Sequence, residues 1–241
     1  MTAKELFQAG KLEEAVQALS VDLRDNPTDA KRRIFLFELL CFAGEFDRAE
    51  KQLEVLARDN AQTEMGALLY RAAIAAERKR QEVFTNKDFP AASTDGQPDI
   101  SGTLNGKPFS WIVDADPRLG ARLEVFAAGG YLWIPFKHIE RIEIQPPKRL
   151  RDLLWIPARV VTGMAFKAVE MGEVLVPALT VFAWRHPNNN VRLGRETHTE
   201  EVDGEVIPAG QKTLLVDGEE ISILEVRNLE FVAAQSAEAV N

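Results

Sequence analysis

The sequence predicts an α+β fold, with a helical repeat unit at the N-terminus and an antiparallel β-rich domain, a small barrel or a sandwich, at the C-terminus. Two observations predict this division. A pattern of glycine, alanine and leucine recurs at a fixed distance in the N-terminal part, whereas short runs of aromatic and β-branched residues fill the C-terminal part. We therefore expect a helical domain over residues 1–84, a linker over residues 85–103 and a β-rich domain over residues 104–241.

The helical part is built on an internal repeat. Residues 9–15 read Ala-Gly-Lys-Leu-Glu-Glu-Ala and residues 43–49 read Ala-Gly-Glu-Phe-Asp-Arg-Ala, so Gly10 and Gly44 are offset by 34 residues (44 − 10). This is the period of tetratricopeptide repeats. Each glycine can close one helix with a tight turn, and the small alanine that ends each segment lets the next helix pack closely against it.

Five helices follow from this pattern, near residues 2–9, 11–24, 28–43, 45–59 and 62–83. Pro27 separates the second helix from the third, and Thr28 or Asp29 can cap the third. The apolar residues of the third helix, Leu36, Leu39, Leu40 and Ala43, follow the spacing of one helical face, and the last helix carries Leu68, Leu69, Ala72 and Ala76. Two repeats and one further helix are fewer than the three repeats that usually stand alone, so the unit should depend on the rest of the chain.

The stretch from Thr85 to Thr103 is rich in Pro, Gly, Asp, Asn and Ser and lacks helical periodicity, which is typical of a linker. Short hydrophobic runs follow it, divided by turn-forming residues. These runs predict strands at Phe109–Val113, Leu123–Ala127, Tyr131–Pro135, Ile139–Ile144, Trp155–Thr162, Val174–Phe182, Gln211–Val216 and Ser222–Phe231. The Asp217-Gly218 pair predicts a hairpin turn.

Charge and composition narrow the classes of function. Lys and Arg total 29 against 37 Asp and Glu, a formal net charge of -8, which disfavours nucleic acid as a primary partner. The N-terminus lacks the apolar segment of a signal peptide, and the longest apolar run, residues 34–44, is too short to span a bilayer. The single cysteine, Cys41, fits a reducing compartment. We therefore expect a cytoplasmic protein without membrane insertion.

Asp114 and Asp116 are the most suggestive pair for chemistry. Alternate residues of a strand face the same way, so the two carboxylates could share a divalent cation in a metal-dependent hydrolase. The competing interpretation is structural or interfacial ion pairing, because Arg118 and Arg122 are close enough in sequence to neutralise both acids. A metal site would also need more ligands placed nearby, so ion pairing is the preferred interpretation.

Other residues give no support for catalysis. His138, His186 and His198 fall in separate segments, without the HxH or HExxH spacing that presents two imidazoles to one metal. The sequence contains no GxSxG motif, no phosphate-binding GxxxxGK[ST] loop and no GxGxxG motif after a strand. Cys41 is distant in sequence from every histidine. We predict a protein that is not an enzyme, with no catalytic residue, no metal and no cofactor.

Two further features leave alternatives open. The run Lys148-Arg149-Leu150-Arg151-Asp152 could form a local basic patch, a solvated loop or a partner for the acidic stretch Glu196–Glu205. The four tryptophans, each on a predicted strand, are core residues by default, although an exposed tryptophan would be a strong interface anchor.

Several of these residues together resemble the pattern of one family. The resemblance rests on a long two-part motif in both halves of the chain: Arg33, residues 37–44, 47–49 and 52–53 in the helical part, then Trp111, residues 114–116 and 118–120, Tyr131, Trp133, Pro135, residues 150–153, Trp155 and residues 157–158. The sequence is similar over roughly residues 5–232 to the ImpE/SciE family.

The resemblance implies a non-enzymatic, cytoplasmic accessory protein of type VI secretion systems. It implies binding to the small subunit of the contractile sheath, TssB, through the N-terminal helix of that subunit. The sheath would connect the protein indirectly to ClpV, the ATPase that disassembles it. The metal-dependent hydrolase that uses Asp114 and Asp116 remains the alternative function, and a homo-oligomeric scaffold is a third possibility.

A tetratricopeptide-like unit offers a concave groove that accepts an amphipathic helix through apolar anchors at i, i+3, i+4 and i+7. The β-rich domain, with its acidic and basic cluster, is the rival docking surface. The candidate partner-binding residues on both surfaces are Arg33, Phe37, Leu40, Trp111, Asp114, Asp116, Arg118, Arg151, Asp152 and Trp155.

Overall fold

The structure is a computed structural model that describes residues 1–89, 100–163, 170–202 and 204–232. Residues 90–99 of the predicted linker and residues 233–241 at the C-terminus therefore lie outside the described residues. Five helices occupy the N-terminal part, and the β-strands follow them. The helices are α1 (Ala3–Gln8), α2 (Leu12–Asp25), α3 (Ala30–Phe42), α4 (Phe46–Leu56) and α5 (Ala61–Asn86), and a short α6 (Asn189–Arg192) lies among the strands.

Local signals in the sequence set the ends of the helices. Thr2 forms a capping box at the start of α1 with Glu5, and Asp29 caps α3 by accepting a hydrogen bond from the Arg32 backbone N–H at 2.9 Å. Gly10 and Gly44 have φ values of +75° and +72°, a conformation that side chains with a Cβ adopt at a cost. The predicted repeat is confirmed, because both glycines close tight turns between paired helices.

The strands form three antiparallel sheets within the described residues. Their bounds are β1 (Gly102–Leu104), β2 (Lys107–Phe109), β3 (Ile112–Asp114), β4 (Arg122–Ala127), β5 (Gly130–Pro135), β6 (Ile139–Ile144), β7 (Trp155–Thr162), β8 (Glu170–Pro177), β9 (Thr197–Val202), β10 (Glu205–Gly210), β11 (Thr213–Val216), β12 (Glu219–Ser222) and β13 (Asn228–Phe231). The large sheet has the strand order β2-β1-β13-β6-β7-β8-β4-β5, while β12-β11-β3 and β10-β9 form the two smaller sheets.

The α+β class is confirmed, but the barrel option was wrong. In the large sheet, β2 and β5 are edge strands at opposite ends of the order, and among the described strands no pairing joins them. A barrel buries one face of a sheet by closing the sheet on itself. Here separate layers cover the two faces of the open sheet, so burial does not require closure.

Successive side chains of the central strands point to opposite faces of the large sheet, so neighbouring residues pack in different layers. Trp155 on β7 and Leu175 on β8 join a core that also contains α1 to α5. Their neighbours Ile156 and Val176 point the other way and join a second core with the three-stranded sheet. The molecule is therefore three layers deep, with the helices on one face of the large sheet and the small sheet on the other.

Several strands differ from those that the sequence predicts. The predicted strand Phe109–Val113 is divided between β2 and β3, and the predicted strand Val174–Phe182 ends at Pro177. The β9–β10 hairpin has no predicted counterpart, because its first strand is almost entirely exposed and so lacks an apolar face. The Asp217-Gly218 hairpin turn is confirmed between β11 and β12, with positive φ at both residues.

Candidate partner-binding site

The candidate residues on α3 hold the helices together. Phe37 and Leu40 are almost completely buried, within the core shared by the helices and the large sheet. Arg33 is half-buried and donates hydrogen bonds to Gln52 Oε1 at 2.8 Å and to the carbonyl oxygen of Pro27 at 2.5 Å. In this conformation these side chains stabilise the packing of α3 against its neighbours, and their role in partner binding stays a prediction.

A second group of candidates joins the helices to the large sheet. Arg151 donates a hydrogen bond to Glu38 Oε1 of α3 at 2.8 Å, and its guanidinium carbon lies 4.9 Å from the centre of the Tyr70 ring. Trp155 stacks on the same tyrosine of α5, with its ring centroid 6.4 Å from that of Tyr70. Asp152 is buried and accepts hydrogen bonds from two backbone N–H groups at 2.8 and 2.9 Å. Arg151 of the basic run therefore pairs with α3, whereas Lys148 and Arg149 are exposed.

The cluster around β3 forms ion pairs, as the preferred interpretation of the sequence predicts. Asp116 accepts two hydrogen bonds from the Arg118 guanidinium, at 2.8 and 2.6 Å. Asp114 lies 2.5 Å from Lys212 Nζ, a partner that sequence proximity did not indicate. Trp111 is half-buried, and its backbone N–H donates to Asp217 Oδ1 at 3.0 Å. Both carboxylates of the suspected metal pair already have a cation beside them.

Among the described residues, these acids are not accompanied by further metal ligands. Across the described part of the chain, no group of three or more His, Cys, Asp or Glu side chains is placed to hold a metal ion. A cavity of about 30 Å³ lies between the helices and the large sheet, lined in part by Cys41, Arg80 and Trp184. It has room for ordered water but not for an organic substrate. The arrangement offers no support for the hydrolase alternative.

A buried network of charges crosses the junction of the three layers, with Glu124 of β4 at its centre. Glu124 is 0% exposed and accepts hydrogen bonds from Arg80 of α5 at 2.7 and 2.9 Å, from Lys212 at 2.6 Å and from the Tyr131 hydroxyl at 2.5 Å. Lys212 also contacts Asp114. One carboxylate thus links the helical layer, the large sheet and the strand of the small sheet that carries Asp114.

Electrostatics keep this network charged. Burial alone would raise the pKa of Glu124, but the attraction of Arg80 and Lys212 outweighs burial and lowers that pKa. Burial would likewise lower the pKa of Lys212, yet the two carboxylates beside it raise the pKa above its usual value. Asp114 differs, because burial dominates over the attraction of Lys212 and raises its pKa to about 6. Asp114 is therefore the member of the network closest to protonation at neutral pH.

The sequence reasoning missed Arg80, Glu124 and Lys212. A signal for two of them was present. Arg80 falls at a helical spacing from the buried residues of α5, and Glu124 alternates with the buried Phe126 on the same face of β4. A charged residue at an apolar position of a periodic pattern indicates a buried ion pair. The pattern could not identify the partner, since the pair joins two separate elements.

An exposed apolar surface lies on the N-terminal half of α5. Met65, Leu68 and Leu69 are 68%, 62% and 44% exposed. They follow the i, i+3, i+4 spacing of one helical face. Large side chains that cluster on an exposed face mark interaction surfaces in soluble proteins.

No helix of the described residues has the length and apolar content of a membrane span.

Comparisons with known proteins agree with this architecture. The family model described as ImpE protein matches residues 106–230, and a tetratricopeptide repeat model matches residues 6–74. The chain is 32% identical over 263 residues to a Pseudomonas aeruginosa protein described as type VI secretion system accessory component TagJ, with 96% of this chain and 91% of that protein covered.

A solved structure shows the same fold. The crystal structure of a Vibrio parahaemolyticus protein superimposes with a TM-score of 0.83 and covers 98% of this chain and 99% of that chain, at 24% sequence identity. Helices on one face of an open sheet are therefore common to both proteins.

Proposed function

Because this chain belongs to the ImpE protein family, we propose that it is a non-enzymatic accessory protein of a type VI secretion system. The observation that carries the proposal is the relative described as a type VI secretion accessory component, which is aligned with 96% of this chain. Alignment over nearly the whole length includes both the repeat unit and the sheets, so a shared role does not depend on one domain alone.

The architecture supports a binding role rather than catalysis. The acids that suggested a hydrolase are Asp114 and Asp116, and both are buried beside a lysine or an arginine. A carboxylate that already has a cationic neighbour is poorly placed to bind a metal ion. A tetratricopeptide-like unit instead binds partners through helix faces.

We further propose that the partner is the sheath small subunit TssB, bound through its N-terminal helix in the cytoplasm, with ClpV reached indirectly through the sheath. An amphipathic helix fits the concave side of a repeat unit without any chemistry at the site. A reversible contact of this kind needs only a micromolar constant, about −8 kcal/mol.

The test is a titration of a labelled peptide, the N-terminal helix of the cognate TssB, with the purified full-length protein, followed by fluorescence anisotropy. We expect saturable binding in the micromolar range and no binding of a scrambled peptide of the same composition. Absence of binding, or equal binding of both peptides, would contradict the proposed partner.

A further inference from the structure

We propose that the partner helix docks on an open patch formed by Met65, Leu68 and Leu69 of α5 with Ile34 and Phe35 of α3, and that this helix is acidic along the side facing α3. The inference rests on the proposed function, because it specifies the site and the partner chemistry for the same contact. The five residues are called the open patch below.

The repeat register places these side chains on one face. An offset of 34 residues aligns Leu68 with Ile34 and Leu69 with Phe35 (68 − 34 and 69 − 34). The same offset pairs residues that are buried in both helices: Leu36 with Tyr70, Leu39 with Ala73, Leu40 with Ile74 and Phe42 with Ala76. These four pairs give α3 and α5 a common buried side in this register, and the two helices are in contact, because the Phe37 ring of α3 lies 5.7 Å from the Tyr70 ring of α5. The open patch therefore continues from one helix to the next.

The β-rich part of the chain covers the next turn of that face on both helices. On α3 this turn carries Glu38, which accepts a hydrogen bond from Arg151 at 2.8 Å. The register equivalent on α5 is Ala72 (72 − 38 = 34), and a Cβ built on Gly129 in the β4–β5 turn would lie 3.6 Å from the Ala72 Cβ. The face is therefore closed from Glu38 and Ala72 onward and open only on their N-terminal side.

The degree of exposure agrees with this division. Ile34 and Phe35 are half-buried at the edge of the helical core, and Met65 and Leu68 are each more than 60% exposed. Such side chains gain free energy when an apolar surface covers them, about 25 cal/mol per Å² of buried area. The open patch extends over two adjacent helices, which suits the apolar stripe of an amphipathic helix.

Charges beside the open patch specify the partner further. Lys31 is exposed at the register position of Met65, at the N-terminal end of the face on α3 (65 − 31 = 34). Lys148 and Arg149 are exposed just before the turn whose Arg151 contacts Glu38. The α3 side of the open patch is thus basic in a chain whose net charge is -8, whereas Glu64 lies on the α5 side. Complementarity favours a helix with acidic residues toward α3.

The experiment titrates the labelled TssB helix peptide with the full-length protein and with the variants Leu68→Ser and Met65→Ser. We expect at least tenfold weaker binding for Leu68→Ser, equivalent to about 1.4 kcal/mol. The matched control is Val206→Ser, because Val206 is 65% exposed and belongs to β10, outside the helices that form the open patch. If Leu68→Ser alters the circular dichroism spectrum, Met65→Ser decides the question alone.

A charge reversal tests the second half of the proposal. Lys31→Glu should weaken binding several-fold at low salt and remove part of the salt dependence, because long-range attraction is screened by ions. Lys107→Glu, an exposed lysine of β2, is the control. Unchanged affinity for Lys31→Glu would overturn the acidic character assigned to the partner.

The outcomes separate the two proposals. Wild-type protein that binds the peptide, together with full binding by Leu68→Ser and Met65→Ser, would overturn the docking site and leave the proposed function standing. Wild-type protein that does not bind would overturn both. Light scattering that shows a wild-type dimer, lost in Leu68→Ser, would assign the open patch to a second copy of this chain and overturn the partner-helix inference.

Discussion

At the scale of single residues, Glu124 is the centre of the buried charge network. It accepts four hydrogen bonds from three side chains while it is fully excluded from water. A buried ion pair adds little stability compared with an apolar substitute, but removal of one partner leaves an uncompensated charge. Arg80 and Lys212 would be those charges, because both are buried beside Glu124.

We expect Glu124→Gln to lower the free energy of unfolding by about 3–5 kcal/mol, because the neutral amide keeps the shape but not the charge that Arg80 and Lys212 require. Urea denaturation followed by circular dichroism measures the change. The matched control is Glu82→Gln, which removes an equally short contact, 2.9 Å from Lys79, on the exposed side of α5. An exposed pair contributes less than about 1 kcal/mol, so similar losses in both variants would contradict the role of burial.

Asp114 should make stability depend on pH in the opposite direction from an ordinary ion-paired carboxylate. Its pKa in the folded protein, about 6, exceeds the value of 3.8 for an exposed Asp. The folded protein therefore holds a proton that the unfolded chain has released between these values. The stabilisation from this group is fully present below about pH 4 and is lost as the pH rises through 6.

We expect the Asp114→Asn variant to lack this contribution. The free energy of unfolding of wild type minus that of the variant should fall by up to about 3 kcal/mol between pH 4 and pH 7, from a pKa difference of about two units at about 1.4 kcal/mol each. The difference between wild type and variant is the quantity to measure, because both proteins contain Glu124. The pKa of Glu124 is lowered, so its contribution to stability changes with pH in the opposite direction and is lost as the pH falls. A constant difference across this range would show that Asp114 has an ordinary pKa.

At the scale of elements, the repeat turns have a second role that the repeat pattern does not reveal. Trp184 packs directly on Gly44, and a Cβ added to that glycine would lie 2.3 Å from the Trp184 ring. Gly10 is approached by Asn190, 3.1 Å from the equivalent Cβ position. Arg195 donates to the Phe7 carbonyl oxygen at 2.7 Å beside the first turn. The glycines thus shape the turns and also admit the β-rich part of the chain.

Gly44→Ala should therefore destabilise the protein by about 2 kcal/mol or more, because it combines a positive φ of +72° with a clash against a ring. Gly66→Ala is the matched control and should have the opposite sign. Nothing lies within 4 Å of a Cβ at Gly66 inside α5, so alanine should stabilise the helix by about 0.5–1 kcal/mol. Thermal unfolding of both variants gives the two signs, and a destabilised Gly66→Ala would refute this account.

The distance in sequence between interacting residues explains how much of the fold and of the site the sequence could predict. The repeat, the Asp29 cap and the Asp217-Gly218 turn depend on neighbours in sequence, so local patterns identified them. The Asp116–Arg118 pair, two residues apart, was accessible for the same reason. By contrast, Lys212 lies 98 positions from Asp114 (212 − 114), and only the completed fold brings the two together.

Burial explains which of the other predicted elements were right and which were missed. The sequence of β7 is apolar along most of its length because both faces of this strand are covered, and that strand was predicted with its observed bounds. The β9 strand is exposed along its length, so its sequence carries polar residues on both faces and no strand signal. Leu68 and Leu69 illustrate the converse, since an apolar stripe predicts a covered face but does not say whether this chain or another covers it.

For the whole molecule, the helices and the large sheet share one core, so we expect them to unfold together. Phe126, Trp155 and Leu175 of the sheet belong to the same buried cluster as residues from α1 to α5. The charge network adds a second connection through Arg80 and Glu124. Separation of the two parts would expose the apolar surface of both and would leave the two charges of this pair without their buried partners.

The distribution of chromophores makes this expectation measurable in the full-length protein. The four tryptophans lie between Trp111 and Trp184, in the β-rich part, whereas circular dichroism at 222 nm reports mainly the helices. Urea transitions from tryptophan fluorescence and from circular dichroism should coincide, as two-state unfolding requires. In Glu124→Gln the fluorescence transition should move to lower urea together with the helical one, because the cores remain shared. Transitions that separate in wild-type protein would show instead that each part folds independently, and the closed half of the helical face would then be an interface between domains that can open.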